Sequence, residues 1–292
     1  MSDMRTPRSN RTSWYFQPAS LVIVSSYVYE NNRLLLLSKS RAFPNGLSNN
    51  HGWVGKGYMS HGFVIGYAHF DGRKLNRFSG PGAQGVCLDD WDADNFDHHG
   101  LGFIGGGDLE TTMEAKPIAT ARAVPPSLKQ HWGTPYKQFM KRNAISIATN
   151  LAQMDVLPYE ENTIDLDPTH KDPQGYPVAR ITFAYKEQEQ KRYQFLLGKQ
   201  SQWFQAMGAA ETWGALAYLP VNQHVYGGTR MGTAPDNSVV DGYQVSHEVP
   251  NLAIMGGSTF PNTGGRNPTE TIQALAWRGA DHIVSNWKSI AA

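Results

Sequence analysis

The last quarter of the chain most constrains what it can fold into. Leu252-Ala-Ile-Met255 is a short apolar run that reads as a buried strand, and Gly256-Gly-Ser258 follows at once. After a loop, Asn267 can cap a helix, Pro268 suits its first position, and Glu270 stands three residues beyond the cap. Ile272, Leu275, Ala276, Gly279, Ile283 and Trp287 then recur at the spacing of one helical face. The free N–H groups and partial positive charge at such a helix start suit an anionic ligand group.

Other segments give weaker signals. Leu21-Val-Ile-Val24 is a second apolar run consistent with a buried strand, and Asn31 and Asn32 are placed to cap a helix over 33–38. Residues 45–57 read as loop, 63–107 as short strands and turns, and 117–126 again as loop. Residues 137–154 have helical spacing, with Phe139, Met140, Ile145, Ile147, Leu151 and Met154 sharing a face. Residues 177–185 alternate Val178, Arg180 and Thr182 against Ala179, Ile181 and Phe183, which predicts a half-buried strand. Residues 186–207 predict a long helix.

Composition removes several classes of function. The chain has 292 residues, a soft indication of about two domains. A net charge of +1 gives no electrostatic footprint for nucleic acid. The single cysteine, Cys87, leaves no internal disulfide and no zinc cluster to build. No apolar run approaches the roughly 20 residues of a spanning helix, so no transmembrane segment is expected. Residues 1–14 are polar, carry Arg5, Arg8 and Arg11, lack the apolar stretch of a secretory signal, and read as a solvated arm.

Two nucleotide-like strings fail on context. Gly80-Pro-Gly-Ala-Gln-Gly85 and Gly100-Leu-Gly-Phe-Ile-Gly105 match Gly-x-Gly-x-x-Gly, but neither follows a buried strand and opens a helix. Asp90, Asp92 and Asp94 begin like a calcium loop, yet Asn95 holds the turn position and Leu101 stands where the closing Glu belongs. A capped turn is the better reading, and His98 and His99 read as solvated or structural.

A lone histidine is ordinarily structural, and Asn267 alone is ordinarily a cap. The ordered set says more: His224-Val-Tyr-Gly-Gly228, a strand ending in Gly257-Ser258, then Asn267-Pro-Thr-Glu-Thr271. This resembles the C-terminal signature of the glucose–methanol–choline (GMC) family of flavin-dependent alcohol oxidoreductases. The likeness runs from about residue 17 onward, through Gln17-Pro-Ala19, Phe43-Pro-Asn-Gly-Leu47, Asp89-Asp-Trp-Asp-Ala-Asp-Asn-Phe96, Gly102-Phe-Ile-Gly-Gly-Gly107 and Ile164-Asp-Leu-Asp-Pro168. The first two of these segments resemble the end of a flavin-domain half, and the last three resemble the substrate domain of the sugar and polyol dehydrogenase branch, that of the gluconate 2-dehydrogenase large subunit.

The resemblance implies a mixed α/β fold. An incomplete FAD-binding, Rossmann-like domain would accompany an antiparallel-sheet substrate domain. Residues 1–16 would be an arm, 17–60 the end of the flavin domain, 61–215 the substrate domain, and 216–292 a return to the flavin domain. By position, His224 and Asn267 would be the catalytic pair, and Gly257, Ser258, Asn267, Pro268 and Thr269 the flavin contacts. Oxidising an alcohol removes a hydroxyl proton and a carbon-bound hydride; His suits the first task because its ordinary pKa lies near neutrality. Asn267 could orient the hydroxyl without competing for its proton. Gly227 and Gly228 would let backbone approach a planar cofactor.

The family's dinucleotide fingerprint and its acidic ribose partner have no counterpart in this sequence. The FAD site is therefore expected to be incomplete here, with the other half supplied by an N-terminal portion or a partner chain. After the first strand, Ser26-Tyr27-Val28 replaces the family's small turn, and Tyr27 would crowd a cofactor there. The branch implies a dehydrogenase rather than an oxidase, with a sugar or polyol substrate, a small subunit and a cytochrome as further partners, and a periplasmic setting. The alternative is a non-catalytic remnant or carbohydrate-binding module that keeps the substrate-domain fold.

Overall fold

Alternation along three neighbouring strands decides the architecture. The computed structural model describes residues 2–3, 16–75, 85–111, 117–217 and 224–291. Arg5, Arg8 and Arg11 of the expected arm, and residues 80–84 of the first glycine string, lie outside them.

The first half holds strands β1 (Ser2–Asp3), β2 (Phe16–Gln17) and β3 (Val22–Val24), helix α1 (Tyr27–Leu37), and strands β4 (Met59–Ser60), β5 (Gly62–His69), β6 (Cys87–Leu88) and β7 (Gly107–Thr111). Helices α2 (Pro117–Arg122) and α3 (Gly133–Asn143) follow, then strands β8 (Ile147–Met154), β9 (Thr163–Lys171) and β10 (Pro177–Thr182). Helix α4 (Glu187–Ala206), strands β11 (Glu211–Ala217), β12 (Val225–Tyr226) and β13 (Leu252–Ile254), and helices α5 (Thr269–Ser285) and α6 (Trp287–Ile290) complete the chain. The result is a mixed α/β fold with antiparallel sheets. No described helix is long and apolar enough to cross a membrane.

The main sheet has five strands in the order β11-β5-β8-β7-β6, each antiparallel to its neighbour. Val64, Ala152 and Leu109 lie side by side across β5, β8 and β7 and pack in one core with Leu196 of α4. Burial of Val64, Leu109 and Leu196 contributes on the order of 1.5–3 kcal/mol each. The period of two sends the adjacent row, Phe63, Gln153 and Asp108, to the opposite face. That face carries the candidate site.

The predicted strands 21–24 and 252–255 pair with each other in parallel as β3 and β13. Leu252 and Ile254 pack with Val24 and Leu35, while Ala253 and Met255 pack with Ile283 of α5. The predicted long helix is α4, and the 177–185 alternation is β10, whose Ala179 and Ile181, with Phe183 beyond it, pack against Tyr58 and Ile164.

Four local expectations are corrected. Residues 137–154 are not one helix: α3 ends at Asn143, and 147–154 become β8, a central strand bonded to β5 and β7. Two sheet neighbours outweigh the helical spacing. Residues 117–122 form the short helix α2 rather than loop. Helix α5 begins at Thr269 with Pro268 as its cap residue and no side-chain cap bond, and it ends before the half-exposed Trp287. Asn31 and Asn32 are no caps: both lie inside α1 and are fully buried.

Their burial has a purpose. Asn31 Nδ2 donates to Met255 O at 3.1 Å and Ser258 Oγ at 2.9 Å, while its Oδ1 accepts from Ser26 N at 2.6 Å. Asn32 Nδ2 donates to Val28 O and Gly227 O. The pair thus ties α1 to the turns that lead toward the site. Asn31→Ala would leave two buried groups, Met255 O and Ser258 Oγ, without this partner and free Ser26 N as well, so a loss of about 2–4 kcal/mol is expected. Urea unfolding should show a lower midpoint with an unchanged slope; an unmoved midpoint would contradict this role.

Candidate active site

His224 is placed by a backbone ladder. Val225 pairs with Ser60 and Tyr226 with Met59, so the next residues outward, His224 and His61, come opposite each other. His61 N donates to His224 O at 3.1 Å, and the two Nδ1 atoms lie 3.3 Å apart. His61 Nε2 stands 2.7 Å from Gly264 O and 3.1 Å from Tyr226 Oη. Phe63 closes one side, its ring centroid 5.5 Å from that of His224.

Asn267 arrives on the loop before α5, and Gly265 lets that loop press onto the sheet. A Cβ on Gly265 would stand 2.8 Å from both Asp92 Oδ1 and Gly107 Cα, and 2.9 Å from Gln153 O. Asn267 Oδ1 then accepts from Gln153 Nε2 at 3.2 Å. The same Nε2 also donates to Glu110 Oε1. Gln153 in turn meets His61, and the charge of Glu110 reaches His224, so His224 and Asn267 come to one centre.

The remaining carried-over residues divide by exposure. Ser258 is fully buried; its hydroxyl accepts from Asn31 and its carbonyl from Thr229 N. Gly257 and Pro268 are also buried, while Asn267, Thr269 and the open N-terminus of α5 are exposed. Gly256, not singled out from sequence, has φ 109° and nothing within 4 Å of where a Cβ would stand. Gly227 and Gly228 do not offer open backbone to a cofactor, because Gly57 O and Asn32 fill the space above them. Their positive φ values, 82° and 90°, let the chain pack there. Tyr27 is itself at φ 76° and half exposed, edge-on to Tyr29.

Electrostatics keep both imidazoles neutral. Burial, and then the neighbouring His224, push His61 down to about 4. Burial lowers His224 below its ordinary value, opposed by the charge of Glu110. Behind Gln153, burial and then Glu110 push Asp108 up to about 7, and burial and then Asp108 push Cys87 up to about 11. Arg266 ties this corner together, with Nε 2.9 Å from Asp92 and Nη2 3.3 Å from Asp89. Of the calcium-like run, Asp92 therefore serves Arg266, together with the preceding Asp89. His98 Nε2 is committed to Gly105 O at 2.7 Å.

Sequence reading gave no role to Glu110, Gln153, Asp108 or His61. The first three sit at alternate positions of β7 and β8, which no local motif marks. A concavity of about 310 Å³ beside α4, lined in part by Tyr67, Gln200 and Trp213, shares no residue with the His224 centre.

Comparisons with known proteins bear on the family. Residues 158–276, which include both His224 and Asn267, match the family model described as GMC oxidoreductase. The chain is 34% identical over 283 residues to the gluconate 2-dehydrogenase flavoprotein of Pantoea cypripedii, covering 91% of this chain and 45% of that protein. It is 30% identical over 279 residues to the 2-methyl-1,2-propanediol dehydrogenase of Mycolicibacterium austroafricanum, covering 93% and 49%. The chain spans about half the length of these curated relatives. Pyridoxine 4-oxidase from Mesorbium loti shares the fold, with a TM-score of 0.56 at 14% identity, over 90% of this chain and 51% of that one. With the family signature matched across the segment that carries the His224 centre, the chain belongs to the GMC oxidoreductase family.

Proposed function

We propose that this chain supplies the substrate side and the proton-accepting centre of an FAD-dependent dehydrogenase acting on CH–OH groups of a sugar or polyol. The observation that carries the reading is the convergence of His224 and Asn267 through His61 and Gln153. In this reading residues 61–215 form the substrate domain, and 17–60 and 216–292 belong to the flavin domain.

The partners of the two histidines set their tautomers. A neutral His61 has one ring proton, and the Gly264 carbonyl can only accept, so that proton sits on Nε2. His61 Nδ1 is then an acceptor, His224 Nδ1 donates to it, and the lone pair of His224 falls on Nε2. His224 Nε2 is the base that takes the substrate hydroxyl proton. Asn267 commits Oδ1 to Gln153 and so turns its N–H groups toward the oxygen that gains negative charge.

The residues present fit one side of a flavin. Gly256 has open space over its Cα, and the exposed start of α5 at Asn267 and Thr269 suits developing negative charge. Gly257, Ser258 and Pro268 back this wall as its buried turn. When bound, the flavin supplies the hydride acceptor. No phosphate cradle is found among the described residues, so the dinucleotide end is held by another stretch of polypeptide. The same stretch would extend β3 and β13, which pair only with each other among the described residues. Parallel strands are normally covered on both faces, yet Ile23 is 51% exposed and Trp277 and Val284 of α5 are each 74% exposed.

Two outcomes follow. With FAD and the complementary N-terminal portion supplied, anaerobic mixing with polyols should bleach the flavin, and His224→Ala should slow this by about 10²–10⁴-fold with flavin still bound. Bleaching at an unchanged rate in the variant would refute the role of His224. In ¹⁵N-imidazole spectra, His61 should carry its proton on Nε2 and His224 on Nδ1 at neutral pH. Because burial depresses His61, its neutral form should persist as pH falls past the ordinary value, protonating only near about 4. Titration of His61 at an ordinary histidine pH would contradict the assignment.

A further inference from the structure

The sheet face opposite His224 is rich in acceptors. Gln153 is 1% exposed, and its side chain meets His61 as well as Glu110 and Asn267; an amide oxygen has two lone pairs, so Oε1 keeps accepting capacity even beside His61. Its Nε2 is spent on Glu110 and Asn267, so the amide is fixed with Oε1 turned from both. Glu110 is only half-buried and uses one oxygen on Gln153, leaving further carboxylate lone pairs to accept.

Arg266 does not offset the charge of this corner. Arg266 is shared by Asp92, Asp89 and Asp108, the last at 3.8 Å, and its Nη1 stands 3.5 Å from Cys87 Sγ. Three carboxyl groups, Asp89, Asp92 and Asp108, thus share one guanidinium, and Glu110 stands beyond them on β7. A ligand that reaches His224 past this wall meets acceptors and a negative field, so it must bring hydroxyl donors and no negative charge of its own.

We propose that Glu110 and the Gln153 amide oxygen form a hydroxyl clamp that takes the hydroxyl next to the one being oxidised. The centre would then accept uncharged vicinal polyols and sugars and reject the corresponding sugar acids. The inference rests on the proposed function, since it needs His224 as the reacting base. Glu110 contacts the substrate in this scheme and sets its specificity.

The test compares sorbitol with gluconate, which share a carbon skeleton and differ in charge. Flavin-loaded protein, complete with its N-terminal portion, would be assayed as wild type, Glu110→Gln and Glu110→Asp, with saturation-transfer NMR as a binding readout independent of turnover. Wild type should bind and oxidise sorbitol in preference to gluconate. Glu110→Gln should lower kcat/KM for sorbitol about tenfold or more, mainly through KM, and shrink the preference by a similar factor. Glu110→Asp should keep the preference. A wild type that favours gluconate, or a preference unmoved by Glu110→Gln, would overturn the clamp. Should His224→Ala abolish turnover while Glu110→Gln leaves the preference intact, the clamp fails and the proposed function stands. Should His224→Ala keep turnover, the proposed function fails, and this inference with it. With no turnover of either compound, binding of sorbitol over gluconate that Glu110→Gln erases supports the clamp, and equal binding overturns it.

Discussion

Two residue pairs of backbone ladder, Met59–Ser60 against Val225–Tyr226, hold the site together. They join a strand that leads directly into the main sheet to a segment more than 150 residues later in sequence, and they fix His61 and His224 face to face. Such a short ladder contributes little stability by itself. It is held because Met59 and Tyr226 are fully buried in the core that α4 and the sheet share. The placement of His224 is therefore a consequence of core packing, and the chemistry proposed for it depends on that packing.

The second constraint is close approach. The loop before α5 reaches the sheet only because Gly265 has no side chain, and the turn after β12 fits because Gly227 and Gly228 adopt positive φ against Gly57 and Asn32. Buried amides then lock what the glycines admit: Asn31 and Asn32 on one side, Gln153 on the other. Each amide is costly to bury unless paired. Asn32 Oδ1 and Gln153 Oε1 each keep lone pairs open, and those of Gln153 lie at the centre where a substrate hydroxyl would be expected.

Much of the framework was legible in the sequence. The strands around 22–24 and 252–254, the helix 187–206 and the strand 177–182 follow from apolar runs and periodicity, and His224 and Asn267 stand in an ordered motif. The misreadings have physical causes. Residues 147–154 look helical because Ile147, Leu151 and Met154 are four and three apart, but the segment is bonded on both sides in a sheet. Asn31 and Asn32 look like caps because asparagine commonly caps, whereas here long-range partners near residues 227 and 255–258 justify their burial. Glu110 and Gln153 were invisible to motif reading because they meet only through the register of β7 and β8, more than 40 residues apart in sequence. A period-two reading of Asp108-Leu109-Glu110, with one apolar residue between two acids, was the available signal.

The proposed hydride-transferring centre is most directly tested with a substrate deuterated at the carbinol carbon, mixed anaerobically with the flavin-loaded protein. The account predicts flavin bleaching that is slowed severalfold by the deuterium in wild type. Bleaching with no isotope effect under single-turnover conditions, or no bleaching with any polyol once flavin is bound, would contradict it.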